Sequence, residues 1–224
     1  GIRLRSRLIA NITSINKLGS IVPGLFNFFQ KNRFFSGIIK NTLGFAQKRD
    51  IPLLYSTTLR AWTARHDKEL NKRNMEVKAT FQENAGTGAE PESSKLDLTV
   101  YLFADEFTNF NDVEIGIKAI KLLNALGYRV IIPDHEESGR TFLSKGLIRK
   151  AKKLANANVS KLKDLITADT PLIGIEPSAI LTFRDEYPDL VDPELKEAAL
   201  NLSKHAVMFD EFVVNELQNA KCKM

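Results

Sequence analysis

Three short clusters of residues in this chain could do chemistry. Asp105-Glu106 leads into Phe107-Thr108-Asn109. His135-Glu136-Glu137 runs into Ser138-Gly139-Arg140. Glu176-Pro177-Ser178-Ala179 comes last. Carboxylates beside a histidine can relay protons or hold a hard cation through oxygen. A Ser-Gly-Arg turn at a helix start, with Lys145 nearby, can cradle an anion. Each cluster also has a plainer reading. His135–Glu137 reads equally as a solvated turn, and Ser138–Arg140 as a glycine turn with a helix cap. Glu176-Pro177 reads as a helix start with proline at its first position. No companion nucleophile is evident for Asp105-Glu106, and His66 and His205 stand alone.

Each cluster follows a short, β-prone apolar run. These are Leu98–Ala104, Arg129–Pro133 and Leu172–Ile175, and His205–Phe209 reads as a fourth strand. Between them Asp112–Leu126 has helical periodicity, with Ile115, Ala119, Leu122 and Leu126 on one stripe and Gly127 as its cap. Phe142–Asn156 places Leu143, Leu147, Ala151 and Leu154 inward. Pro177–Glu186, Pro193–Ser203 and Glu211–Asn219 are further helices. Strands separated by such helices predict an α/β fold, a parallel β-sheet flanked by helices. Ligands bind beyond the carboxyl ends of the strands in such sheets. Asp105, Glu106, Glu137 and Glu176 are therefore predicted on one rim near His135. Like charges gathered there should raise at least one carboxyl pKa.

The chain ahead of this region differs in kind. Residues 1–82 form a predicted helical connecting region, 83–96 a Gly/Ser/Glu/Pro linker, and 97–224 the α/β lobe. Leu8, Ile12, Ile15 and Leu18 recur at helical spacing before Gly19. Pro23-Gly24 marks a turn, and Phe26, Phe28, Phe29, Phe34 and Phe35 form a dense aromatic group. Pro52 breaks the chain again before Leu53–Arg65. Residues 1–73 carry 14 Lys+Arg against 3 Asp+Glu, whereas the remainder carries 18 against 24. A basic half and an acidic half imply different neighbours. The basic region and its Phe group are expected to dock on the lobe and on the missing upstream domains, since leaving them all exposed would create a large apolar patch. A membrane-surface role for residues 1–45 is the alternative. No nucleic-acid motif is present. No apolar run is long enough to span a bilayer, and the single cysteine, Cys222, excludes an internal disulfide framework. The expected location is cytoplasmic, with peripheral membrane contact as the variant.

The three clusters, in this order and spacing, resemble the cysteine-rich CCG domain of iron-sulfur oxidoreductases. That family places a Cys before an aromatic and Asn, a Cys-Cys-Gly-Arg turn, and a Glu-Pro-Ser-Cys turn. The resemblance runs from Leu98 to about Leu217. It includes Leu122-Leu123-Asn124-Ala125-Leu126-Gly127-Tyr128, Leu143–Leu147 and Arg184-Asp185-Glu186-Tyr187-Pro188. Leu59-Arg60-Ala61-Trp62 resembles the segment that joins a ferredoxin-type domain to the CCG domain in FAD-linked oxidases of the D-lactate, glycolate and D-2-hydroxyglutarate dehydrogenase type. The resemblance implies a parent with FAD and 4Fe-4S clusters, oxidising a D-2-hydroxyacid such as D-lactate. Its FAD and ferredoxin-type domains would lie upstream on the same polypeptide. The matching cysteine positions here are Glu106, Glu137, Ser138 and Ala179, so the resemblance implies a degenerate lobe without cluster, flavin or catalytic group of its own. Its expected role is structural or docking. A stand-alone module using Asp105, His135, Arg140 and Glu176 for a small anion or metal is the other reading.

Overall fold

In a computed structural model, residues 3–84 and 98–221 are described. The predicted linker at 83–96 falls almost wholly outside them, as does Cys222. The chain order is α1 (Leu4–Ala10), α2 (Ile12–Gly19), α3 (Pro23–Lys31), α4 (Arg33–Leu43), α5 (Leu59–Asn84), β1 (Leu98–Phe103), α6 (Val113–Ala125), β2 (Tyr128–Ile131), α7 (Arg140–Leu143) and α8 (Ile148–Leu162). There follow β3 (Leu172–Gly174), α9 (Pro177–Asp185), α10 (Tyr187–Leu190), a 3-10 turn (Pro193–Leu195), α11 (Lys196–Lys204), β4 (Ala206–Met208) and α12 (Phe209–Lys221). The four strands form one sheet in the order β2-β1-β3-β4, and every pairing is parallel. The predicted α/β class is the observed one.

Period-two alternation sets the two faces of the sheet. Tyr101 and Phe103 of β1 and Leu172 of β3 face a core with Val159, Leu162, Ile180, Phe183 and Leu202, supplied by α8, α9 and α11. Val100, Leu102 and Ile173 face the opposite core with Leu59, Val113, Ile120 and Leu123. Helices thus cover both faces, as an all-parallel sheet requires. Gly174 lets α9 approach β3: a Cβ there would sit 2.3 Å from Ile180 Cβ.

Two helices differ from the sequence reading. In α6 the buried residues are Val113, Gly116, Ala119, Ile120 and Leu123, while Ile115, Leu122 and Leu126 are exposed. The run is apolar on several sides, so periodicity alone leaves the buried stripe's phase ambiguous. The predicted helix Phe142–Asn156 is two helices, split by Gly146 in the left-handed region (φ 70°). Its inward residues still converge: Leu143, Leu147 and Leu154 pack around Ala151 together with Ala10 of α1.

The basic region docks on the lobe only in part. The predicted first helix breaks at Asn11 into α1 and α2. Ala10 is fully buried, and its carbonyl accepts from Thr141 Oγ1 at 3.0 Å. Residues 53–58 are not helical. Asn27 and Asn111 anchor the start of this segment: Leu54 N donates to Asn27 Oδ1 (2.9 Å) and Asn111 Nδ2 donates to Leu53 O (3.0 Å). Most of the Phe group is not buried against the lobe. Phe28, Phe29, Phe34 and Phe35 pack edge-on or tilted against one another, yet Phe28 is 54% and Phe34 70% exposed. Helices α3 and α4 form a hairpin whose outer face has no covering element among the described residues.

Candidate functional site

The sheet order reverses at β1. The chain moves from β1 out to β2 on one side and returns to β3 on the other. The crevice between the carboxyl ends of β1 and β3 is therefore a topological switch point, where open parallel sheets bind ligands. The turns beginning at Asp105 and Glu176 follow those two strands, and the His135–Arg140 turn follows β2.

Side chains in these turns bond chiefly to protein. Asp105 Oδ1 accepts from Phe107 N (2.8 Å) and Thr108 N (2.9 Å), and Oδ2 accepts from Thr108 Oγ1. It caps a turn. Glu106 is 3% exposed. Its carboxylate spans to the second motif, accepting from Ser138 Oγ (2.7 Å) and Ser138 N (3.2 Å). Two of the four positions that the resemblance assigns to thiolates are thus bonded to each other. Glu137 accepts from Thr13 Oγ1 of α2 at 2.5 Å. Ala179 is buried in the core beneath α9.

Ser138 is fully buried and anchors a wider network. Its Oγ accepts from Arg140 N (3.1 Å), and its carbonyl accepts from Tyr187 OH (2.9 Å). Asn158 Nδ2 donates to Tyr187 OH (2.8 Å) and to Glu137 O (3.0 Å), while its Oδ1 accepts from Glu136 N (2.7 Å). Gly139 takes the left-handed conformation (φ 78°) that starts α7, which accounts for glycine there. Arg140 is committed to Glu186 at 2.5 Å. Glu176 caps α9, accepting from Ala179 N (2.6 Å) and Ser178 Oγ (2.7 Å). The helix-start reading of Glu176 matches the observed bonding, whereas at Ser138–Arg140 the glycine turn is present but the N-cap position of α7 is Gly139, with no side-chain cap.

His135 is half-buried and bonded to the backbone. Its ring lies 4.3 Å from that of Phe103, its Nε2 accepts from Ala104 N (3.1 Å), and its Nδ1–H donates to Glu136 O (2.7 Å). Burial pushes its pKa down to about 3, so it is neutral at physiological pH. The carboxyls behave as predicted in sign but not in cause. Glu106 is pushed up to about 7, and Asp105 and Glu137 are raised, each chiefly by burial rather than by neighbouring charge. Hydrogen bonds oppose each shift.

Helix α2 covers the rim. Besides the Thr13–Glu137 bond, Asn16 Nδ2 donates to Asn111 Oδ1 (2.8 Å) and reaches Glu106 O (3.5 Å); Thr13 and Asn16 are both buried. Asn109 ties α5 to the same turn: Arg60 N donates to its Oδ1 (3.1 Å) and Leu59 N to its carbonyl (3.0 Å). The Leu59–Trp62 segment and the Phe-Thr-Asn motif thus meet in space. Thr13, Asn16, Asn158 and Tyr187 were missing from the sequence-derived site. Only Tyr187 carried a signal, inside the Arg184–Pro188 block.

An iron-sulfur cluster needs thiolate donors, and this donor set does not suit one. Both oxygens of Glu106 face Ser138, Glu137 is engaged by Thr13, and Ala179 has no donor atom. Among the described residues no three His, Cys, Asp or Glu side chains group as a metal site.

The chain is similar to D-2-hydroxyglutarate dehydrogenase of Pantoea ananatis, at 27% identity over 84% of the chain. To the enzyme of that name from Haemophilus influenzae it is 22% identical over 96%. It is also similar to one subunit of the anaerobic glycerol-3-phosphate dehydrogenase of Escherichia coli, at 30% identity over 43% of the chain. These matches agree with the resemblance drawn from the motifs. The chain spans only 17% of the Pantoea protein, 19% of the Haemophilus protein and 25% of the Escherichia coli one. No protein-family model and no solved structure matches it.

Proposed function

We propose that this chain is the C-terminal structural and docking lobe of a larger FAD- and iron-sulfur-dependent dehydrogenase acting on a D-2-hydroxyacid. In this reading the lobe has exchanged its cluster ligands for a hydrogen-bonded brace. The observation that carries it is the buried Glu106–Ser138 pair. It joins the turns after β1 and β2, the same turns a cluster would otherwise cross-link. The relatives' names make D-2-hydroxyglutarate the first substrate to try on the parent, with D-lactate next. Flavin and clusters would perform the electron transfer upstream. The anion- or metal-module reading is less favoured, because Arg140 and Glu137 are already paired and α2 lies over the rim.

The test has two parts. The chain is reconstituted anaerobically with iron and sulfide, then assayed for both; it should hold neither in stoichiometric amount. It is also mixed with the separately produced upstream part at low and high salt. The 14-to-3 basic excess of residues 1–73 should give an affinity that weakens with salt, because exposed charges are screened. A stoichiometric cluster would refute the brace. Absent or salt-independent binding would refute the docking role.

A further inference from the structure

Helices α1–α4 and the segment after them border a half-open cavity of about 530 Å³, within the size range of small-molecule pockets. Its wall is almost wholly apolar, built from Leu8, Ile12, Ile15, Phe26, Ile39 and Phe45, and its floor reaches Phe107 and Asn111 of the turn after β1. Three features give it polarity. Gln30 Oε1 is buried on the wall with no hydrogen-bond partner among the described residues. Arg49 and Asp50 also line the cavity; Arg49 is exposed. Residues 1–49 hold nine Lys+Arg and no Asp or Glu, so Asp50 is the first acid in the chain.

An apolar cleft this large, half open to solvent, leaves hydrocarbon wall in water that an apolar occupant would cover. An occupant with an aliphatic tail would cover the apolar wall, and an anionic headgroup would pair with Arg49 on the lining. The basic surroundings favour an anionic amphiphile over a neutral or cationic one.

We infer that this cavity is a binding site for a single aliphatic acyl chain bearing an anionic headgroup, with the tail among Ile12, Ile15 and Ile39 and the headgroup toward Arg49. The site adjoins the motif rim through Phe107 and Asn111 but uses none of the motif carboxylates, and it does not depend on the docking role.

The test is calorimetric titration of the full chain, stripped of lipid, with octanoate, decanoate and dodecanoate below their micellar concentrations. Burial of each added methylene should tighten binding roughly fourfold. Ile12→Trp and Ile39→Trp, which fill the cavity from α2 and from α4, should abolish binding. Two variants on different helices guard against one failing to fold, and circular dichroism reports folding of each. Arg49→Glu should weaken dodecanoate more than dodecanol. Phosphatidylglycerol vesicles distinguish the source of the chain. If it is a free fatty acid, vesicles leave the protein in solution. If it belongs to a membrane lipid, vesicles sediment the protein and Ile12→Trp releases it. Either result supports the site. No chain-length dependence, or unchanged affinity in both folded tryptophan variants, overturns it.

Discussion

Replacing Glu106 with glutamine should stabilise this protein at alkaline pH and much less so in mild acid. Glu106 is buried, and its pKa is pushed from 4.5 to about 7. The native state therefore holds a proton that the unfolded chain releases at lower pH. The stability linked to this group is fully present below pH 4.5 and is lost as pH rises through about 7. At about 1.4 kcal/mol per pH unit, the ionised native form is disfavoured by on the order of 3 kcal/mol. Glutamine keeps the shape and can still accept from Ser138 N, while its amide can donate to Ser138 Oγ. It carries no charge to bury. Urea unfolding of wild type and Glu106→Gln from about pH 5 to about pH 8.5 reads the difference directly. The variant should gain under about 1 kcal/mol near pH 5 and roughly 3 kcal/mol above about pH 8. His135 contributes the opposite slope. Its pKa is depressed from 6.5 to about 3, so its stabilisation is lost as pH falls below 6.5. That contribution is common to both proteins and cancels in the difference. A variant less stable than wild type at pH 8, or a difference that does not change with pH, would show that Glu106 is a favourable ion in the fold and refute the reasoning.

Other outcomes follow from the same network. Tyr187→Phe removes the donor to Ser138 O and the acceptor for Asn158 Nδ2. It should cost about 1–3 kcal/mol in urea unfolding, as expected when buried partners are orphaned. His135 should stay neutral with its proton on Nδ1 down to about pH 4, because Nε2 is occupied by Ala104 N–H and burial depresses its pKa; imidazole nitrogen shifts by NMR check this, and titration near pH 6.5 would contradict it. Gly139→Ala forces a side chain into positive φ at the start of α7 and should cost about 1–2 kcal/mol. Changing Glu106, Glu137, Ser138 and Ala179 together to cysteine should allow iron and sulfide uptake that wild type lacks, read by the visible charge-transfer band.

Much of the lobe was legible because its signals are local. Short β-prone runs set off by helical periodicity specify parallel strands and crossovers, and the strand-end rule then gathers three distant turns on one edge. Glu176 was readable as a cap because proline follows it. What escaped notice depends on tertiary context. The stripe on α6 could not be phased without knowing where the sheet lies. The break at Gly146 was hidden because Leu143, Leu147 and Ala151 keep helical spacing across it. The fate of Glu106 was not readable either. A buried carboxylate whose partner lies 32 residues away looks, in sequence, like half of an acid pair with Asp105.

The bonding pattern also bears on how this rim holds its shape. A cluster bound by cysteines from several turns acts as a cross-link between them. Here the turn after β1 is tied to the turn after β2 by Glu106 and Ser138, the second turn to α10 by Tyr187, and both to α2 by Asn16 and Thr13. The geometry a metal would impose is held instead by a connected polar network, whose bonds are stronger for being buried and costly to leave half-made. Such a brace predicts cooperativity. Ser138→Ala alone strands the Glu106 carboxylate, whereas Glu106→Leu with Ser138→Ala removes both partners, and the pair should be less destabilising than the sum of the single changes. A double-mutant cycle by urea unfolding measures this coupling, expected at about 1–3 kcal/mol. Strict additivity would mean that the two turns are held by their backbones, and that the Glu106–Ser138 pair is an accident of packing.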